Sequence, residues 1–245
     1  MMPEAARHIN GTHYFQQQYI ALREKEMRLY SDEQVRQLPF IGNDHPHYDE
    51  WLVRRNSSEK LLKRIRKMKM PLKILDVGCG NGWLSNQLSQ VPGTEVTGFD
   101  INLVELQQAK RVFQERDNLQ FASNSPFQSM QGEQRFDLIL FAASIQYFSS
   151  LNAVISEALQ KLTPRGRIHI IDSHFYAPEE LAAARQRTVE HYKSLGFDGL
   201  SAHYFHHTLN ALKPFNFEIV YNPDAAWNKL RRKKAPFHWI SIKKS

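Results

Sequence analysis

From Leu72 onward, short apolar runs alternate with longer stretches in which apolar residues recur at helical spacing. Lys73–Gly78 (KILDVG) predicts a first strand, Thr94–Asp100 (TEVTGFD) a second and Leu119–Ala122 (LQFA) a third. Phe136–Ala142 (FDLILFA) predicts a fourth strand buried on both faces, and Gly166–Asp172 (GRIHIID) a fifth. Helices are expected over about 82–89, 103–116, 151–162 and 178–195. Asn102, followed three residues later by Glu105, has the form of a capping box with asparagine in place of Ser or Thr. Thr163–Gly166 (TPRG) predicts a turn before the fifth strand, through Pro164 and Gly166. Strands alternating with helices imply βαβ units and a parallel sheet covered on both faces.

The rhythm then changes. Asn216–Asn222 (NFEIVYN) and Pro236–Lys243 (PFHWISIK) both read as strands, and Pro223–Ala235 between them is too short for a comfortable helical crossover. They are expected to pair antiparallel at the end of the sheet. The expected class is α/β: a seven-stranded, mostly parallel, doubly wound sheet with an antiparallel final strand. Residues 1–70 read as helical segments broken at Leu38–Tyr48 (LPFIGNDHPHY), where Pro39, Gly42 and Pro46 forbid a continuous helix. They predict an N-terminal helical extension or lid packed on a domain spanning 71–245. The chain shows no internal repeat and no low-complexity tract.

The formal charge of +7 looks like a nucleic-acid signal until it is located. Lys60, Lys63, Arg64, Arg66, Lys67, Lys69 and Lys73 lie together with no acid among them, and Lys229, Arg231, Arg232, Lys233 and Lys234 cluster near the C-terminus. Without these two patches the chain is mildly acidic. In the first patch Leu61, Leu62, Ile65 and Met68 recur at helical spacing, so its bases are expected on the wet face of an amphipathic helix. Binding of an anionic partner is the alternative. The single cysteine, Cys79, excludes an intrachain disulfide framework and suits a reducing interior; it reads as a small residue in a tight turn. The first twenty residues lack an apolar core of signal-peptide length, and no apolar run approaches the ~20 residues of a membrane span. A soluble cytoplasmic protein is expected.

The chemistry is concentrated at Ile74–Ser85 (ILDVGCGNGWLS), where Gly78, Gly80 and Gly82 follow the first strand directly. In an open parallel sheet, ligands bind outside the carboxyl ends of the strands, where such a turn sits. A helix N-terminus behind it offers free backbone donors. A nucleoside site also needs a carboxylate about twenty residues on to accept from the ribose hydroxyls, and Asp100 stands there. A dinucleotide turn wants G-x-G-x-x-G, but Trp83 occupies the place of its third glycine. Asp76, inside the strand, would suit an amino group better than a pyrophosphate.

Ile74–Gly82 resembles the first motif of class I, Rossmann-like, S-adenosylmethionine-dependent methyltransferases. Asp100 matches the acidic residue ending their second strand, Phe136–Ile139 resembles their fourth strand, and Leu162–Gly166 resembles the turn before their fifth. The resemblance spans about Leu72 to Ser173, and the antiparallel final pair extends it. It implies an enzyme that uses S-adenosylmethionine. Carried over by position, it places Gly78, Cys79, Gly80 and Gly82 against the methionine moiety, Asp76 toward its ammonium and Asp100 on the ribose, with Ile101 and Asn102 beside the adenosine. It places Phe141, Ala142 and Ala143 at the methyl donor. Where the family often has an acid near the adenine amine, this chain has Ser123–Phe127 (SNSPF), so Ser123 or Asn124 would contribute a neutral oxygen and Phe127 could pack on the ring.

Methyl transfer from a sulfonium is an in-line displacement that the protein promotes by positioning and by excluding water, with a base needed only if the nucleophile loses a proton. The Asn-Pro-Pro-aromatic motif of many DNA and protein amino-methylating relatives is absent; Ala143–Tyr147 (ASIQY) stands in its place, favouring a small-molecule acceptor. His174, after the fifth strand, is the candidate base, set against a structural histidine. Tyr147 and Tyr176 are candidate substrate-side residues, Tyr147 equally a packing residue. His203 and His207 stand four apart without an accompanying carboxylate, and no metal is expected. His45–Trp51 (HPHYDEW), with Arg54 and Arg55 behind it, is a candidate lid or a plain helix-leading loop. Three readings follow: a methyltransferase of small or medium-sized metabolites; a nucleic-acid methyltransferase using the basic patches; and a non-catalytic S-adenosylmethionine-binding interaction protein. The oligomeric state is left open.

Overall fold

The computed structural model describes residues 4–123, 127, 134–225, 228 and 235–244. Its strands are β1 (Leu72–Val77), β2 (Thr94–Phe99), β3 (Leu119–Ala122), β4 (Phe136–Ala142), β5 (Leu162–Ile171), β6 (Asn216–Tyr221) and β7 (Trp239–Lys243). They form one sheet in the order β3-β2-β1-β4-β5-β7-β6. The first five run parallel, and β7 pairs antiparallel with both β5 and β6. The helices are α1 (Glu4–Lys25), α2 (Asp32–Gln37), α3 (Tyr48–Ile65), α4 (Trp83–Ser89), α5 (Leu103–Val112), α6 (Leu151–Gln160) and α7 (Leu181–Ser194).

The central strands are apolar because both faces are covered. The period of two divides their side chains between two cores. Ile74, Leu138 and Leu140 face Leu61 and Ile65 of α3, Leu88 of α4 and Val112 of α5, while Leu75, Val77, Ile139 and Phe141 face Val154, Ile155 and Ala158 of α6. The helix after β1 thus lies on one face and the helix after β4 on the other. A crevice is left at the carboxyl ends of β1 and β4, where strand order reverses.

The N-terminal helices dock on the first face. Trp51 of α3 meets Trp83 of α4 edge-on at 5.3 Å and donates its indole N–H to the Tyr30 hydroxyl at 2.7 Å. Trp83, the bulky residue that speaks against a dinucleotide turn, is therefore the anchor for this layer. Asp32 holds Arg111 of α5 through two hydrogen bonds of 2.7 and 2.8 Å, and α2 starts on a Ser31–Gln34 capping box. The break at Leu38–Tyr48 separates α2 from α3, as the prolines and glycine require.

Four local expectations are corrected. Thr163–Gly166 is not a turn but part of β5, paired with β4 across a register shift between Phe136 and Leu138. Thr163 donates to Asp137 at 2.9 Å, and a Cβ on Gly166 would lie 2.8 Å from the Phe136 carbonyl oxygen, so the missing side chain lets the strands close. The helix expected to reach residue 116 ends at Val112, and the one expected from residue 178 begins as a tight turn, Pro178–Glu180, before α7. At α5 the Asn102 side chain caps Val104 and Glu105, but the reciprocal arm differs. Glu105 accepts from the Asn102 side-chain amide at 3.0 Å, while the Asn102 backbone N–H goes to Asp100.

Candidate functional site

A cavity of about 740 Å³ occupies the crevice. Its floor is the glycine turn and the ends of β2 and β4; its roof comes from α1, the Arg28–Tyr30 segment and the first turns of α3. Gly78, Gly80 and Gly82 all take positive φ (77°, 53° and 75°), which explains glycine at each. What lies in front of them differs. A Cβ on Gly78 would collide with Ser144, and one on Gly82 with Phe121 and Ala109. A Cβ on Gly80 would meet nothing nearer than the Glu105 carboxylate at 3.6 Å. Gly80 is where the backbone opens on the cavity; Gly82 serves packing and lies outside the lining.

The turn is held by backbone donors. The N–H groups of Gly78 and Cys79 both reach the Phe99 carbonyl, at 2.8 and 2.9 Å. Asp100 accepts from Gly80 N–H at 2.7 Å and Asn102 N–H at 2.8 Å, so one carboxylate fixes both the turn and the start of α5. Asp76 accepts from the Ser85 hydroxyl at 2.6 Å. Burial pushes Asp76 and Glu105 up to about 7, against the Ser85 hydrogen bond in one case and nearby Arg23 in the other. Burial also raises Asp100, against its backbone hydrogen bonds. Two buried carboxyl groups, Asp76 and Glu105, with the half-buried Asp100 in the same wall, make the floor a site for cations and hydroxyl donors. The Cys79 thiol is buried and pushed well above its ordinary range, which makes it a poor nucleophile.

Ala143 and Asp172, at the ends of β4 and β5, are non-glycine residues at φ 53°. Such backbone costs on the order of 1 kcal/mol per residue and tends to occur at functional sites. Both are pinned. Ala143 N–H donates to the Ile171 carbonyl at 3.0 Å, and Asp172 accepts from Ser57 of α3 at 2.7 Å.

The cavity gathers Asp76, Gly78, Cys79, Gly80, Asp100, Ile101, Asn102, Ala142, Ala143 and Tyr147. Phe141 is fully buried on the opposite face and meets Phe148 edge-on, so it stands behind the wall rather than in it. Ser123 does not line the cavity, and Phe127 is buried in the same apolar cluster as Phe99 and Phe141. Asn124 and the basic cluster at 229–234 lie outside the described residues. His174 faces neither this cavity nor its neighbour; it is exposed and packs on Tyr176, ring centroids 4.2 Å apart. Tyr176 lines an adjoining cavity. His203 lines the main cavity and packs on Phe15 at 4.6 Å, whereas His207 is buried on the Ile145 carbonyl at 3.2 Å. No group of three His, Cys, Asp or Glu among the described residues could hold a metal, and no helix among them is long and apolar enough to cross a membrane.

Sequence reasoning missed the part of the roof that α1 and the Arg28–Tyr30 segment supply. Phe15, Tyr19 and Arg23 of α1 all line the cavity, and their spacing of four is the signal that could have found them. Of the candidate lid, Glu50 and Trp51 line the cavity together with Arg54, whereas Arg55 packs over Phe40 at 5.5 Å. The bases at 60–73 take another direction. From Arg54, in the roof, α3 carries the chain roughly 18 Å to Arg66, toward the amino end of β1. There Arg64 packs over Trp239 and Lys60 over Tyr221.

A family model described as a methyltransferase domain matches residues 69–232. The chain is 27% identical over 180 residues to a sterol 24-C-methyltransferase of Gibberella zeae, covering 70% of this chain and 46% of that protein. It is 30% identical over 138 residues to a malonyl-[acyl-carrier protein] O-methyltransferase of Acetivibrio thermocellus, covering 55% and 48%. The chain thus spans about half the length of the curated relatives it matches. In fold it is similar to magnesium protoporphyrin IX methyltransferase of Synechocystis, solved with bound S-adenosylhomocysteine. That match has a TM-score of 0.57 and 17% identity, and covers 86% of this chain and 93% of that one.

Proposed function

The chain belongs to the methyltransferase-domain family, and on that premise we propose that it transfers a methyl group from S-adenosylmethionine to a small or medium-sized metabolite. The observation that carries this reading is the open backbone at Gly80, set between the buried carboxyl group of Asp76 and the half-buried one of Asp100. The donor set fits the cofactor's chemistry. An ammonium and a sulfonium are drawn to buried carboxylates, and ribose hydroxyls donate to one.

In this reading Asp76 would face the amino group, and the backbone from Gly78 to Gly80 would border the methionine chain. Asp100, whose carboxylate keeps lone pairs beyond the two given to backbone donors, would accept from the ribose. Ile101 and Asn102 would border the adenosine, and Ala142 and Ala143 the reacting end. When bound, S-adenosylmethionine supplies an electrophilic methyl group. The protein's part is then to orient the two reactants and exclude water, a part that the rings of Tyr19, Tyr30 and Trp51, which line the cavity from above, would play. His174, outside the lining, is left without a part in the chemistry.

The basic residues at 60–73 stand away from the cavity, so the geometry favours the small-molecule reading over a nucleic-acid one. Calorimetric titration with S-adenosylmethionine tests the proposal. Saturable binding that Asp100→Ala weakens about 100-fold is expected, and absence of binding at roughly millimolar ligand would overturn it. Turnover of any acceptor separates an enzyme from a non-catalytic binder.

A further inference from the structure

The main cavity does not end at its roof. A second one, of about 380 Å³, adjoins it, and Tyr19, Arg23, Arg28, Glu50, Arg54 and Tyr147 line both. Beyond that shared wall the second cavity is bounded by Tyr176 after β5, by Arg187 and Tyr192 of α7, and by Tyr204. We propose that this second cavity is the acceptor site, and that it takes an acceptor bearing an anionic group, carboxylate or phosphate, seated at the Arg187 end, away from the methyl donor. The inference rests on the methyltransferase reading above.

The charge balance supports it. Glu50 is held by Arg28 at 2.6 Å and by Arg54 at 2.8 Å, and Glu26 lies 3.2 Å from Arg28. The two carboxylates of the wall are therefore matched by these arginines. Arg23 reaches only Glu105, at 3.9 Å, and its Nε is buried with no partner among the described residues. Arg187 has no carboxylate within ion-pair distance among the described residues. The second cavity is left with one guanidinium, Arg187, that no carboxylate among the described residues matches, and with the free Nε–H of Arg23; guanidinium is the side chain best suited to a planar or tetrahedral anion.

The tyrosines add neutral donors. Tyr147 meets Tyr19 and Tyr204 edge-on, each at 6.0 Å, and Tyr204 lies 6.5 Å from Tyr192. These contacts fix the rings, while the hydroxyls of Tyr19, Tyr147 and Tyr192 have no hydrogen-bond partner among the described residues. Burial raises Tyr192 and Tyr204 above the ordinary phenol range, so their hydroxyls stay protonated and able to donate.

Polarity fixes which way round the acceptor lies. An anion placed on the floor would meet Asp76, Asp100 and Glu105, whereas at the far end it meets Arg187 and the tyrosines. The uncharged, reacting end is thereby directed along the wall that the two cavities share, toward Ala142 and Ala143.

The test uses the whole chain saturated with S-adenosylhomocysteine and titrated calorimetrically with inorganic phosphate and, separately, with succinate. At least one probe is expected to saturate in roughly the millimolar range. Arg187→Met is expected to weaken that probe about tenfold while leaving the affinity for S-adenosylhomocysteine within about twofold. Arg187 is exposed, so its replacement leaves the fold intact. Saturation by phosphate alone assigns a phosphorylated acceptor, and saturation by succinate alone a carboxylic one. Failure of both probes at roughly 50 mM, or equal binding by Arg187→Met, overturns the anion site and leaves the methyltransferase reading standing. Failure of S-adenosylhomocysteine itself to bind overturns both.

Discussion

The cavity floor, made by the ends of β1, β2 and β4, is acidic and set by backbone hydrogen bonds, whereas the roof, made by α1, α3 and the residues around α7, is basic, aromatic and set by side chains. Asp100 is located by two N–H groups of the turn it supports, so its position follows from the sheet itself. Tyr147 is located by other rings, and Glu50 by arginines that could be exchanged without touching a strand. A floor of this kind suits a constant ligand and a roof of this kind a variable one. That is the division expected of a chain with one methyl donor and a particular acceptor.

The harshest way to break the comparison is to undock the roof. Trp83→Ala removes the indole that meets Trp51, and a loss of about 3–5 kcal/mol in urea denaturation is expected. A loss below about 1 kcal/mol would show that the roof is not seated on the floor through this contact. Next in size is Asp100→Ala, which deletes an acceptor of two backbone hydrogen bonds and the proposed ribose partner. S-adenosylhomocysteine affinity should fall by about 100-fold, or about 2.7 kcal/mol. Unchanged affinity would remove Asp100 from the site.

The acidic floor also predicts a pH dependence. Asp76 and Glu105 titrate near 7 in the folded chain, from ordinary values near 4, so the folded state holds protons that the unfolded state has lost. Stability of the ligand-free protein should therefore fall as pH rises from about 4 to 7, by up to ~4 kcal/mol for each of the two groups. Thermal denaturation across that range checks it, and Asp76→Asn should flatten the slope. A cationic ligand favours the ionised carboxyl, so cofactor affinity should move the opposite way, rising through the same window.

The smallest effects separate two glycines. Gly82→Ala forces a methyl group onto Phe121 and Ala109 and should cost about 2 kcal/mol of stability. Gly80→Ala pays only for its backbone angle, about 1 kcal/mol, yet should weaken the cofactor because the methyl group stands in the cavity. If Gly80→Ala bound normally and Gly82→Ala did not, the assignment of the open position would be reversed.

The same contrast governs what could be read from the sequence. The strand runs, the ILDVGCGNG turn and Asp100 are legible because each depends on residues near in the chain. Whether a residue in such a motif faces a ligand or a core is not local. Gly82 is explained by Phe121, and Phe141 by the two-residue period that turns it toward α6. His174 lies close behind β5, but its side chain folds back on Tyr176. Thr163–Gly166 reads as a turn because proline and glycine usually make one, yet the Thr163–Asp137 bond and the space at Gly166 keep it in the sheet. The roof combines Tyr19, Arg54, Tyr147, Arg187 and Tyr204, residues spread over most of the chain; Arg54 and Tyr147 are legible from their places behind HPHYDEW and after β4, Tyr19 leaves only the four-residue spacing in α1, and Arg187 and Tyr204 leave no trace.

The central claim, an acidic floor that holds the methyl donor, is tested most directly by calorimetric titration of S-adenosylhomocysteine into the wild type, Asp100→Ala and Arg187→Met. One saturable site that Asp100→Ala weakens about 100-fold and Arg187→Met leaves within about twofold is the predicted result. No heat of binding to the wild type at roughly millimolar ligand, or equal binding by Asp100→Ala, would contradict it.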